Sequence, residues 1–190
     1  AGSTAAHLAL QAGKDGKLRL INLDDMSGQG GPAHVGGELQ LLNVPQGGSG
    51  YGGDLMREQL AVWVDPTDHS TWAFVGNGSG ISGLQLGLDG SNVPSLTTRW
   101  TKTASSGSTS PIVANGVLFN AGDCTGGGTC ISARDPLTGD VLWSSPHIGS
   151  LHWQSPILVN GAIYVVDGSS KLWKFAAPLG DTIFANGFDG

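Results

Sequence analysis

Charge is scarce in this chain: Asp, Glu, Lys and Arg together make up 13 % of its 190 residues, where a soluble domain carries about a quarter. The nine Lys and Arg are scattered along the chain, outnumbered by fifteen Asp and Glu for a formal net charge of -6. That excludes a nucleic-acid partner, because neutralising phosphates needs clustered basic side chains. No apolar run reaches the roughly 18 residues that a membrane-spanning helix requires, so no membrane span is expected. The first residues, "AGSTAAHLAL", lack the basic and apolar regions of an export leader. Helix-forming stretches are also missing, since Gly, Ser, Thr and Asn interrupt each apolar run before it reaches three turns. Cysteine is limited to Cys124 and Cys130, which flank "TGGGT". Two thiolates alone would leave a tetrahedral metal site half filled, so the readings are a local disulfide, implying an oxidising compartment, or free core thiols.

What is abundant is glycine, 32 residues, set among short apolar runs. The segments "SPIVANGVLF" (110–119) and "SPILVNGAIY" (155–164) superimpose at an offset of 45 residues. Each is an apolar strand, an Asn-Gly turn and a second apolar strand, a pattern in which Asn and Gly tolerate the positive φ of a type I′ turn. Weaker copies lie upstream in "LAVWVDPTDHSTWAFVGN" and "HLALQAGKDGKLRLINLDDMSG". A repeat of roughly 45 residues with up to four short strands predicts an all-β propeller built from about four four-stranded antiparallel blades. The expected units are 5–28, 58–103, 107–144 and 152–176 within a propeller region 1–176. Residues 29–57, Gly-rich around one short strand "ELQLL", are expected to form an inter-blade loop, and 177–190 a C-terminal tail.

The stretch "ARDPLTGDVLW" (133–143) resembles the tryptophan-docking motif of the pyrroloquinoline-quinone (PQQ) dehydrogenase-like propellers. Ala133, Asp135, Thr138, Gly139 and Trp143 match it, and Asp140 stands where that family usually has Lys or Glu. Asp and Thr-Gly shape a tight turn, and the Trp fills the wedge between blades. Trp100 is a further landmark of the second unit, whereas the last unit has no docking Trp after Gly180. The resemblance covers most of residues 5–176 and implies a wheel of seven or eight blades. Four blades would leave open edges, so the chain is expected to belong to a larger propeller lacking N-terminal blades, or to be a half-wheel completed by a homodimer. The ending "DTIFANGFDG" resembles the aromatic tail of many secreted bacterial proteins, which places the chain in the periplasm or outside the cell.

The resemblance does not extend to chemistry. Active members hold the quinone over adjacent cysteines, with Ca²⁺ on carboxylate and amide oxygens and an Asp as base. Cys124 and Cys130 are not adjacent, and no such oxygen cluster stands out. Neither PQQ nor Ca²⁺ is therefore supported by this segment, and no catalytic residue is assigned. Candidate ligand contacts gather at the heads of inner strands, around a funnel: His34 and Glu38 in "PAHVGGELQ", Arg57 and Glu58 in "MREQL", and His152, Trp153 and Gln154 in "GSLHWQSP". The expected function is a binding or scaffold module whose partner, a protein, a glycan or a small molecule, sits on this loop face. A piece of a PQQ-dependent oxidoreductase and a small secreted metalloenzyme using His34 or His152 are the alternatives.

Overall fold

The computed structural model describes residues 5–26, 37–44, 59–103, 109–124, 127–151 and 154–176. Among them, the strands form four antiparallel sheets with the strands of each in sequence order. Sheet A holds β1 (Leu8–Ala12), β2 (Leu18–Asn22) and β3 (Glu38–Leu42). Sheet B holds β4 (Ala61–Val64), β5 (Thr71–Asn77), β6 (Gly80–Leu88) and β7 (Pro94–Thr103). Sheet C holds β8 (Ile112–Ala114), β9 (Val117–Asp123), β10 (Thr129–Arg134) and β11 (Val141–Ser144). Sheet D holds β12 (Ile157–Val159), β13 (Ala162–Val166) and β14 (Leu172–Ala176).

Local chemistry sets the hairpins. Asn115 and Gly116 have φ of 48° and 70°, and Asn160 and Gly161 have 48° and 66°; two successive positive values are the signature of a type I′ turn. The Cys124–Cys130 disulfide spans the loop joining β9 to β10, with the two Cα atoms 5.3 Å apart. The strand inside the Gly-rich stretch is β3, which pairs with β2 from Leu18↔Leu42 to Ile21↔Glu38. The first unit therefore continues to Leu42 and does not end at Gly28. Leu42 and Gln40, paired with Leu18 and Leu20, face sheet B, where the Gln40 side chain donates to Leu96 O at 3.1 Å and accepts from Leu96 N–H at 2.7 Å.

Alternate side chains of sheets B and C feed two different cores each, and this stacks the four sheets in chain order. Leu18 and Leu20 of sheet A pack with Ala73, Val75 and Leu84 of sheet B. The opposite face of sheet B sends Trp72, Phe74 and Trp100 against Leu118 of sheet C. Val117, Phe119 and Ala121, on the other face of β9, pack with Ile163 and Val165 of sheet D. Around this stack β4 lies beside β8 and β3 beside β7, so β4, β8 and β12 are inner strands and β3, β7 and β11 outer ones. Sheet A accordingly has the second, third and outer strands of a blade. Its β1–β2 turn repeats the β13–β14 turn: Gly13 N–H donates to Lys17 O at 3.1 Å, and Asp167 N–H to Lys171 O at 3.0 Å. Among the described residues it has no inner strand.

Candidate functional site

The docking motif is a joint between sheets. Trp100, on the outer strand of sheet B, sends its indole N–H to the carbonyl of Pro136 in the β10–β11 turn of sheet C, at 2.9 Å. Its ring lies against two glycines. A Cβ placed on Gly83, its cross-strand partner, would stand 2.3 Å from the indole, and one on Gly139 would stand 2.6 Å from it. Gly139 also has φ of 73°, a region where an L side chain is strained. Inside the turn, Asp135 Oδ1 accepts from Leu137 N–H at 2.7 Å and Thr138 Oγ1 from Asp140 N–H at 3.2 Å. Ala133 is fully buried in the core between sheets C and D. Trp143 meets Phe175 of sheet D edge-to-face at a centroid distance of 5.8 Å.

The heads of the three inner strands are tied together by hydroxyls. Gln59 N–H donates to Ser110 Oγ at 3.0 Å, and Ser155 Oγ donates to the same oxygen at 3.0 Å. These residues stand just before β4, β8 and β12, where the sequence places its funnel. Gln154 is there, half-buried, ahead of Ser155. Glu38 is elsewhere: it opens β3, an outer strand, and its buried carboxylate lies 3.8 Å from Arg19 Nε. His34, Arg57, Glu58, His152 and Trp153 lie outside the described residues. Among the described residues no group of three or more His, Cys, Asp or Glu converges as a metal site.

Gly149, ahead of β12, is held by Asp167, whose carboxylate accepts hydrogen bonds from Gly149 N–H at 2.9 Å, Ser169 Oγ at 2.6 Å and Trp173 Nε1 at 2.7 Å. Ser169 and Lys171 N–H groups complete the set. Donors from Ser169 and Trp173 above all hold its pKa well below the carboxylate range. A carboxylate depressed in the folded state stabilises the fold above its unfolded pKa of about 3.9 and loses that contribution as pH falls below it. The stability gap between the native chain and Asp167→Asn is therefore expected to be constant above about pH 5 and to shrink below pH 4, read by urea unfolding at a series of pH values.

A cleft of about 560 Å³ opens between sheets A and B, where the inner strand of sheet A would lie. Leu8, Leu10, Leu60, Val62, Leu86 and Leu96 line it, with Gln59 at its end. Among the described residues β1 pairs only with β2, so its other edge presents a row of backbone donors and acceptors to the cleft. Val62 and Val64, paired with Ala73 and Thr71 on the face turned towards sheet A, are 60 % and 52 % exposed. On the other inner strands, Val113 and Leu158 are half-buried against the preceding sheet. What differs at Val62 is the strand that should cover it. No residue motif announced this site; it shows only when strands are counted unit by unit.

No family model matches the chain, and no curated protein matches it in sequence. Two solved structures resemble it in shape. The computationally designed protein Ika4 superposes with a TM-score of 0.52 at 10 % identity, over 93 % of this chain and 89 % of Ika4. BamB from Moraxella catarrhalis, a β-propeller protein, also gives 0.52, at 17 % identity and over 92 % of this chain. The fold is a multi-blade β-propeller. Sheets A to D are its blades, and the chain spans 44 % of the length of BamB.

Proposed function

We propose that this chain is a secreted or periplasmic propeller of the PQQ-dehydrogenase-like kind, acting as a binding or scaffold module. Its partner docks beside the channel, as an extended apolar segment added to the free edge of β1. The cleft carries this reading: it combines a strand edge that has no partner among the described residues, and so offers main-chain hydrogen bonds, with apolar walls that select alternate side chains. The Trp100 joint supports the family and the Cys124–Cys130 disulfide supports an oxidising compartment.

The test uses a fluorescein-labelled peptide, Thr-Val-Thr-Val-Thr-Val with blocked ends, in excess over the full chain. Saturable binding by anisotropy is expected, weakened at least tenfold by Val62→Asp, a change at an exposed position that leaves the fold intact. Equal binding by the variant, or none by the native chain, overturns the reading.

A further inference from the structure

We propose that the cleft takes a segment of a partner protein running antiparallel to β1, and that the residues bonded to Leu10 and Leu8 are the same ones that send apolar side chains into the cleft. Proline and N-methylated residues are excluded at those two positions and accepted at the one between them. This rests on the reading of the cleft as a strand-docking site and adds the direction and residue pattern of what docks.

Which backbone groups of β1 face the cleft follows from its ladder with β2. The His7 carbonyl accepts from Leu23 N–H at 2.9 Å, and Gly13 N–H donates to Lys17 O at 3.1 Å. Between them the register runs through Ala9↔Ile21 and Gln11↔Arg19. Bonded and non-bonded pairs alternate in an antiparallel ladder, so Ala9 and Gln11 bond β2, while Leu8 and Leu10 turn N–H and C=O to the edge that has no partner among the described residues. The side chains of Leu8 and Leu10 point towards blade B, against the core of Leu20, Ala73 and Leu84.

Blades C and D use the same edge for their inner strands. By the matching turns at 13–17 and 167–171, Ala162 and Tyr164 of β13 correspond to Leu8 and Leu10, and they pair with Val159 and Ile157 of β12. Val159 and Ala162 flank the two-residue Asn160-Gly161 turn, which makes them a bonded pair, and Ile157 with Tyr164 is the next. In blade C, Ile112 and Ala114 stand likewise opposite Phe119 and Val117. These positions are apolar in both blades, and a proline, Pro111 or Pro156, comes just before the first of them, where an N–H would point away from the neighbouring strand.

A strand docked on β1 in this register has one residue opposite Leu10 and another, two further on, opposite Leu8. Directly opposed residues share a face of the sheet, so both side chains enter between blades A and B, towards Leu60, Val62 and Leu96. The residue between them stands opposite Ala9 and points away from blade B. Among the described residues no charged side chain lines the cleft, which continues the apolar core of blades A and B, so the entering side chains are uncharged. A parallel arrangement separates the two roles: the residue bonded between Leu8 and Leu10 then lies beside Ala9 and faces away from the cleft. It would also run against β4, β8 and β12, whose heads meet at Ser110.

The experiment extends the anisotropy titration of the full chain with the blocked peptide Thr-Val-Thr-Val-Thr-Val. Two derivatives carry one N-methyl group each, on the second valine or on the second threonine. Whichever two successive valines occupy the cleft, the second valine is one of them. Its methylation removes an N–H and orphans a β1 carbonyl, for an expected loss of at least about tenfold in affinity. Methylation of the threonine removes no bond to β1, and a change of less than about threefold is expected. Equal weakening by the two groups, or stronger weakening by the one on threonine, overturns the antiparallel pattern. The docking reading then still stands on the response of the unmodified peptide to Val62→Asp. Failure of the unmodified peptide to bind overturns both.

Discussion

Trp100→Ala lowers folding stability by about 3–5 kcal/mol, the expected cost of emptying a buried aromatic site, measured by guanidinium unfolding followed at the far-UV β signal. The indole is buried against Phe74, with centroids 6.0 Å apart, and rests on Gly83 and Gly139. Neither glycine can grow to refill the space: Gly139 has φ of 73°, and Gly83 lies in the middle of β6 with its partner strand on the same ring. Trp100→Phe separates packing from polarity. It keeps most of the apolar contact but leaves the Pro136 carbonyl without its 2.9 Å donor, and about 1–3 kcal/mol is expected for such an orphaned group. Loss of less than about 1 kcal/mol in the alanine variant would mean that blades B and C are held together by something other than this joint.

Arg134→Met is the second large effect. Arg134 is a buried cation at the end of β10: its Nε donates to Asn120 Oδ1 at 2.9 Å and its Nη1 to the Gly139 carbonyl at 2.9 Å. Burial pushes its pKa down, with the charge of Asp140 acting the other way, and a guanidinium remains protonated regardless. Methionine matches the aliphatic stem but abandons both acceptors, so about 2–4 kcal/mol of destabilisation is expected from two unsatisfied groups. The loss is predicted to be less than additive with Trp100→Ala, since both act through the same turn. A double-mutant cycle in which the two add independently would contradict that coupling.

The fold was legible in the sequence where local chemistry decides it. Asn115-Gly116 and Asn160-Gly161 dictate their turns whatever surrounds them, and the 45-residue offset of those hairpins announced repetition. The boundary of the first unit was not legible, because "ELQLL" stands alone in a Gly-rich stretch and only pairing with Leu18–Asn22 assigns it to a blade. The docking motif was recognised but its partner was not. Within "ARDPLTGDVLW" the turn and Trp143 look like one unit, yet the indole that this turn receives comes from Trp100, 36 residues before Pro136. A contact between repeats is set by how sheets stack, which a pattern within one repeat does not encode. The cleft was hidden for a related reason: it is the space left by a strand that blade A does not have among the described residues, and composition and spacing report residues that are there. Glu38, read as a funnel residue at the head of an inner strand, instead opens an outer strand beside Arg19.

Gly139 answers three demands at once: a left-handed backbone, a flat seat for the Trp100 ring, and a carbonyl for Arg134. The consequence is an asymmetry in where the chain tolerates change of length. The hairpin at 89–93 closes on itself through Asp89 N–H to Val93 O, and Gly90 has open space around it, so residues can be added there at the small entropic cost of a longer loop. One residue added between Asp135 and Asp140 would move the seat, the carbonyl and the ring contact together and pull blade B away from blade C. Insertional variation in relatives of this chain, and the grafting of foreign loops onto it, therefore belong at the 89–93 hairpin and not at the one that receives Trp100.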